Sequence, residues 1–163
     1  MQWSAADRAN YARSNATASI DFDPGKPARV IARQLADTSM EAGHRQILAT
    51  TLCDFLSDAA GIDICHVRVS DARQHHRSAR GRVVFRQYGY YQPTTRFISI
   101  TNRTAIRGQL LSGGAFLDTL LHEWMHHYDA LKLELRSIHS SGFYARLRSL
   151  KEWLGVAAQG SAS

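Results

Sequence analysis

Leu120-Leu121-His122-Glu123-Trp124-Met125-His126-His127 is the stretch that decides the reading of this chain. It lies within residues 115–135, where Leu117, Leu120, Leu121, Trp124, Tyr128, Leu131 and Leu135 recur at helical spacing and predict one long helix with a broad apolar stripe. Asp118, His122, His126 and Asp129 run along another side of it. Residues four apart on a helix stand one above the other, so the imidazoles of His122 and His126 project toward a single point. Two neutral imidazoles, a third ligand and a water make a zinc site of the open, catalytic kind. Glu123 falls beside them, where it can take a proton from the zinc-bound water as that water attacks a carbonyl. His-Glu-x-x-His on a helix is the pattern of metal-dependent peptide hydrolysis. A purely structural zinc site would close its fourth position and have no use for such a base.

A third ligand is expected from beyond the helix. His139 lies in the break after this helix, next to Ser140-Ser141-Gly142 and just ahead of a last amphipathic helix over 143–154, where the chain can turn back over the metal. His127 is the wrong neighbour, because it points about 100° away from His126. Glu134 lies too close, on the same predicted helix, to fold back. Asp129, one turn beyond His126, is placed to accept a hydrogen bond from a ligand imidazole and orient it, the alternative being direct coordination.

Outward from this segment, the 163 residues suggest one compact domain. Residues 1–24 are polar and rich in Ala, Ser and Asn; they read as loosely ordered and end at the turn signal Asp23-Pro24-Gly25. A short helix is expected over 27–36. Thr38 or Ser39 then caps a longer one, with Ile47, Leu48, Leu52, Phe55 and Leu56 on its apolar face and Gly61 closing it. Residues 62–69 read as a strand, 71–81 as a basic loop, and 82–91 and 96–101 as two strands joined by a hairpin through Gln92-Pro93-Thr94-Thr95. The domain is expected to span 25–155, with 156–163 a flexible small-residue tail. The fold class is α+β: a small three-stranded, mostly antiparallel sheet packed against the histidine-bearing helix and flanking helices. Cys53 and Cys65 have no paired metal-ligand spacing and read as buried thiols.

The net charge is +6, with a pI near 9.7, and favours anionic partners, nucleic acid above all. Arg73, Arg77, Arg80 and Arg82 crowd one segment and are the candidates for phosphate contacts; Arg146, Arg148 and Lys151 form a second basic group near the end. The alternative for both is a solvated basic face. The first twenty residues contain no apolar core of a signal peptide, and no run is long enough to span a bilayer. The expectation is a cytoplasmic monomer with no membrane partner, associated with the nucleoid where nucleic acid is bound.

The motif Leu120-Leu121-His122-Glu123-Trp124-Met125-His126-His127, followed by Ile138-His139-Ser140-Ser141-Gly142-Phe143, resembles the SprT-like zinc metallopeptidases, the group that includes Spartan. In that family a loop after the helix gives a third His, commonly as His-Gly-x-x-Phe; here the glycine is displaced to Gly142. Tyr88-Gly89-Tyr90-Tyr91 and Phe97-Ile98-Ser99-Ile100 are similar to the family's strand pair ahead of the active helix. The resemblance covers residues 39–154 and implies a zincin-like fold of minimal gluzincin type. It also implies a single zinc held by His122, His126 and His139, and hydrolysis of protein substrates, including DNA-bound or DNA-crosslinked ones. The strand Phe97, Ile98, Ser99 and Ile100 is then expected at the sheet edge nearest the cleft, where an extended substrate can add by backbone pairing. Tyr144 or Tyr128 would supply the donor for the oxyanion, the alternative for each being a place in the core. Two other readings share the same ligands: a zinc-stabilised nucleic-acid-binding module without proteolysis, and a zinc hydrolase of a small substrate.

Overall fold

A computed structural model describes residues 2–73, 75–79, 82–104 and 107–156, with the backbone alone at 73, 75–79 and 82–87. The architecture is α+β. Among the described residues, α1 (Ala5–Ala16), α2 (Lys26–Asp37) and α3 (Ala42–Ala60) precede the strands, and α4 (Gly113–Leu131) and α5 (Ser141–Leu154) follow them. The strands are β1 (His66–Arg73), β2 (His75–Ala79), β3 (Arg82–Gln87), β4 (Gly89–Gln92) and β5 (Phe97–Arg103).

The three-stranded sheet has the order β1-β5-β4, and it is mixed rather than mostly antiparallel. β4 and β5 form the expected antiparallel hairpin, but β1 runs parallel to β5, from His66 opposite Phe97 onward. Parallel neighbours need a long crossover, and the segment from the end of β1 to the start of β5 supplies it. Within that crossover β2, where a loop was expected, pairs with β3 as a separate antiparallel ribbon, so the strand expected over 82–91 is divided at Tyr88 between β3 and β4. β1 also starts later than its alternating pattern suggests. The N–H groups of Gly61 and Ile62 are taken by the last turn of α3, at Asp58 O and Ser57 O, and Gly61 closes that helix in the left-handed region (φ 73°). Residues 62–65 are therefore a connection, not a ladder.

Two helix starts differ from the sequence reading. α2 runs on to Asp37 and uses Thr38 as its C-cap, so α3 begins from Glu41 with no side-chain cap. The segment read as loosely ordered contains α1, opened by a capping box in which Ser4 Oγ accepts from Asp7 N–H and Asp7 Oδ2 accepts from Ser4 N–H (both 3.0 Å). Only Ser14 of α1 is buried, so an apolar stripe could not announce it.

α4 lies at the centre, touching α2, α3, α5, β4 and β5. Phe116, Leu120, Leu121, Trp124 and Met125 are fully buried against Leu35 of α2, Leu52 and Leu56 of α3, Ile98 and Ile100 of β5, and Phe143 and Leu150 of α5. Each such side chain contributes about 1.5–3 kcal/mol. Trp124 buries its indole N–H as well, donating to Ser57 Oγ at 3.0 Å. Cys53 and Cys65 are buried free thiols. No helix of the described residues is long and apolar enough to cross a membrane.

Candidate metal centre

α4 starts from Ser112, whose Oγ accepts from Ala115 N–H, and ends at Leu131, one turn earlier than its apolar pattern suggests. Its cleft-facing side carries Ala115, Asp118, Thr119, His122, Glu123 and His126. The chain leaves α4 through residues 132–140, in which Glu134 sits in the left-handed region (φ 53°), and returns along α5. Glu134 is thus in the exposed connection, not on the helix.

That connection brings His139 back over α4. His139 Nε2 lies 3.0 Å from His122 Nε2 and 3.0 Å from His126 Nε2. Among the described residues these three make a group able to hold a metal ion, with ligand atoms all within 4.8 Å of one another. Tetrahedral zinc, at Zn–N of about 2.0–2.1 Å, keeps its ligand nitrogens about 3.3 Å apart, so the donor set fits the ion in number, type and spacing.

Hydrogen bonding assigns the tautomer of one of the three imidazoles. Ser137 Oγ donates to Asp129 Oδ2 (2.9 Å), since a carboxylate only accepts, and Ser137 Oγ is 2.8 Å from His126 Nδ1. With its own proton directed to Asp129, the hydroxyl accepts from Nδ1–H. His126 therefore keeps the lone pair on Nε2, facing His139, as a metal ligand requires. Asp129 reaches this imidazole through Ser137 and not by the direct hydrogen bond expected from the sequence. Asp129 is in turn held by Arg146, with Nε at 2.9 Å from Oδ1 and Nη2 at 2.7 Å from Oδ2, both side chains fully buried. Burial raises the Asp129 carboxyl above its ordinary range, and the bonds from Arg146 and Ser137 oppose that rise.

Burial, reinforced by the His139 ring and the Lys151 ammonium, holds the His122 imidazole down at about 4. Burial and the two neighbouring rings bring His126 to about 3. Both are neutral near pH 7, the state that binds a cation. Glu123 is 8% exposed, lines the cleft, and has its carboxyl pushed up to about 7 by burial. Among the described residues nothing hydrogen-bonds its carboxylate, which leaves the oxygens available to the cleft.

His127 is fully buried and turned away. Its Nε2–H donates to Asp63 O (2.7 Å), so Nδ1 accepts from the Tyr91 hydroxyl (2.8 Å). This chain of bonds ties β4 to α4 beside the cleft. The cleft, about 1140 Å³, runs between α4 and β4, with Tyr88, Gly89, Tyr90, Tyr91 and Pro93 on one wall and Arg136–His139 at its end.

Several site residues expected from the sequence lie elsewhere. Phe97, Ile98, Ser99 and Ile100 belong to β5, the central strand, whose two edges are already taken by β1 and β4. The edge strand at the cleft is β4. In its register Tyr88 O accepts from Thr101 N–H (2.9 Å), so alternation directs the N–H and C=O of Gly89 and Tyr91 away from β5. Tyr128 is 1% exposed and donates to Asp21 Oδ1 (3.2 Å), remote from the cleft. Tyr144 is exposed on α5, its ring centroid 6.0 Å from that of His139 and 6.3 Å from that of His122. Arg146 and Lys151, read as part of a basic face, are buried and paired with Asp129 and with Asp118 (2.6 Å). Of that basic group Arg148 alone is exposed. Arg80 lies outside the described residues, as do the side chains of Arg73, Arg77 and Arg82.

Ser137 and Arg146 are the contributors that sequence reasoning missed. Ser137 carries no spacing signal, and Arg146 could be suspected only through an unpaired acid on the neighbouring helix, Asp129. Comparison with protein-family models, with curated proteins and with solved structures finds no match to this chain.

Proposed function

We propose that this chain is a zinc-dependent endopeptidase of the SprT-like kind, acting on polypeptide substrates, DNA-bound or DNA-crosslinked ones included. The observation that carries the reading is the convergence of His122, His126 and His139 beside Glu123, on one wall of an open cleft whose other wall is a free strand edge. The three imidazoles would hold the ion. When bound, zinc supplies Lewis acidity, polarising a carbonyl and making water more acidic.

The remaining work belongs to the chain. Glu123 takes a proton from the attacking water and delivers it to the leaving amine. Gly89 and Tyr91 offer outward N–H and C=O groups to an extended peptide, which gives affinity with little demand on sequence. Tyr144, exposed beside the imidazoles, donates to the oxyanion as it forms. The size of the cleft, about 1140 Å³, its openness and its lining by β4 favour a polypeptide over a small substrate.

The test is zinc content of the purified protein beside cleavage of casein and histone, with and without single-stranded DNA, using Glu123→Gln as control. One equivalent of zinc, with cleavage abolished in a variant that still binds it, is the expected result. Zinc without cleavage under any condition would replace the peptidase with the zinc-stabilised binding module. No zinc even after reconstitution would overturn the whole reading.

A further inference from the structure

We infer that α1 is a positioning element of the metal centre, gripping the backbone on both sides of His139 with Asn10 as its main hold; this rests on the metal-binding reading above. Residues 132–140, which carry Ser137 and His139, contain no helix or strand. Their backbone bonds to their own stretch and to α4 beyond the helix cap are few: Leu135 N–H to Asp129 O (3.0 Å) and Ser140 N–H to Ile138 O (2.8 Å). A connection tied so lightly does not fix an imidazole to within the few tenths of an ångström that a ligand set needs.

α1 supplies the missing bonds. The Asn10 side chain donates to Arg136 O (2.8 Å) and accepts from Arg136 N–H (3.0 Å), reproducing the paired bonds of a β-ladder. Arg13 donates to Leu133 O (2.8 Å), and Asp7 pairs with the Arg136 guanidinium. Past His139, the hydroxyls of Ser14 and Ser140 meet at 2.6 Å. Asn15 Oδ1 accepts from Ser141 Oγ (3.0 Å) and from Gly142 N–H (2.8 Å). A Cβ at residue 142 would lie 2.0 Å from Ser14 O, so the close approach of α1 demands glycine there. That contact gives a physical reason for a glycine three residues after His139. α1 thus holds the chain three residues before the third ligand and one to three residues after it, and Ser137 is carried in the same grip.

A helix that merely added stability would show the same bonds, so the test needs a readout that global stability does not move. Zinc affinity would be measured by competition with a chromophoric chelator on the full chain, together with the visible spectrum of the cobalt-substituted protein, which reports the ligand geometry. Asn10→Ala should weaken zinc binding about tenfold, the lower end for loss of an outer partner of a ligand, and alter the cobalt bands. Asn10→Asp keeps the acceptor for Arg136 N–H and should fall between that variant and the wild type. Leu35→Ala, a cavity in the core on α2, whose backbone at that residue packs on Gly113 at the start of α4, the end opposite the connection, should lower stability and leave zinc affinity and spectrum unchanged. Wild-type affinity and spectrum in Asn10→Ala, or equal loss in Leu35→Ala, would overturn the inference while leaving the metal site standing. Failure of the wild type to bind zinc would instead overturn the proposed function and this inference with it.

Discussion

Replacing Asp129 by asparagine changes one atom's identity and no volume, yet it should be among the most damaging single substitutions in this chain. The Arg146 guanidinium is fully buried, and all five of its N–H donors are used: Nε and one Nη2 proton on Asp129, the other Nη2 proton on Ser14 Oγ, and both Nη1 protons on Ser14 O and Thr17 O. Among the described residues Asp129 is the one carboxylate paired with it. Asp129→Asn leaves the cation without a counterion and turns an NH2 toward either Nε–H or Nη2–H, whichever way the amide is flipped. Breaking a buried pair from one side costs about 3–5 kcal/mol. Since the amide keeps one acceptor, the lower end applies, about 3 kcal/mol. With a urea slope of about 2 kcal/mol/M, the unfolding midpoint of the zinc-free protein should fall by about 1.5 M.

The same substitution reaches His126. In the flip that spares Nε, the amide donates to Ser137, whose proton then turns to His126 Nδ1 and forces the imidazole into the Nε2–H tautomer, which cannot bind a metal. Asp129→Asn should therefore lose zinc affinity as well as stability. The double variant Asp129→Leu with Arg146→Met removes both charges and should recover most of the lost stability but not the zinc affinity. A midpoint for Asp129→Asn within about 0.3 M of wild type, a fifth of the expected shift, or additivity in the double variant, would refute the argument.

Three further outcomes are expected. Ser137→Ala cuts the chain from Asp129 to His126 without touching the ion pair, so zinc affinity should drop about 10–100-fold in a competition titration while the urea midpoint of the zinc-free protein stays near wild type. Burial pushes the Tyr91 hydroxyl up to about 12 and Tyr128 higher still; folded, they keep protons that the unfolded chain releases near 10, so stability should fall as pH rises from about 10 toward 12. Absorbance at alkaline pH should show two of the six tyrosines ionising only with unfolding, and Tyr91→Phe should remove one. Because Gly89 and Tyr91 are the residues of β4 with outward backbone groups, peptide substrates N-methylated at the amides that pair with them should resist cleavage. Equal cleavage of peptides methylated at either set of alternate amides would exclude strand addition at this edge.

What the sequence made legible is what one helix can specify alone. His122, Glu123 and His126 are read from a spacing of four because their relative directions are fixed by local geometry. The sheet was harder, because pairing depends on where the chain returns. Residues 62–65 carry a strand pattern, yet the left-handed turn at Gly61 takes Ile62 N–H back to Ser57 O before any ladder can start. β5 was read as an edge because nothing local reveals that β1 would reach it in parallel across the long crossover. α1 was missed for the opposite reason. It makes its case with Asn10, Arg13, Ser14 and Asn15 bonding to a distant connection, and polar residues that bond at long range look the same in sequence as polar residues in water. Arg146 and Lys151 repeat the point, since their neutralising partners Asp129 and Asp118 sit on another helix.

The adjacent pair His126 and His127 shows how much one turn of helix coordinates. About 100° of rotation separates them, and each is fixed by a chain of bonds that leaves no freedom in its protons. His126 is set by Ser137, Asp129 and Arg146, which also places the return of the chain toward His139. His127 is set by Asp63 O and Tyr91, which places the free edge of β4. The ligand cluster and the strand edge that would receive a substrate are therefore registered to the same turn of α4, so their separation depends on rigid backbone rather than on the flexible connections between elements. A substitution at His127 would shift the strand edge relative to the imidazoles while leaving all three ligands intact. It would damage substrate binding before metal binding, the reverse of what a substitution at Ser137 would do.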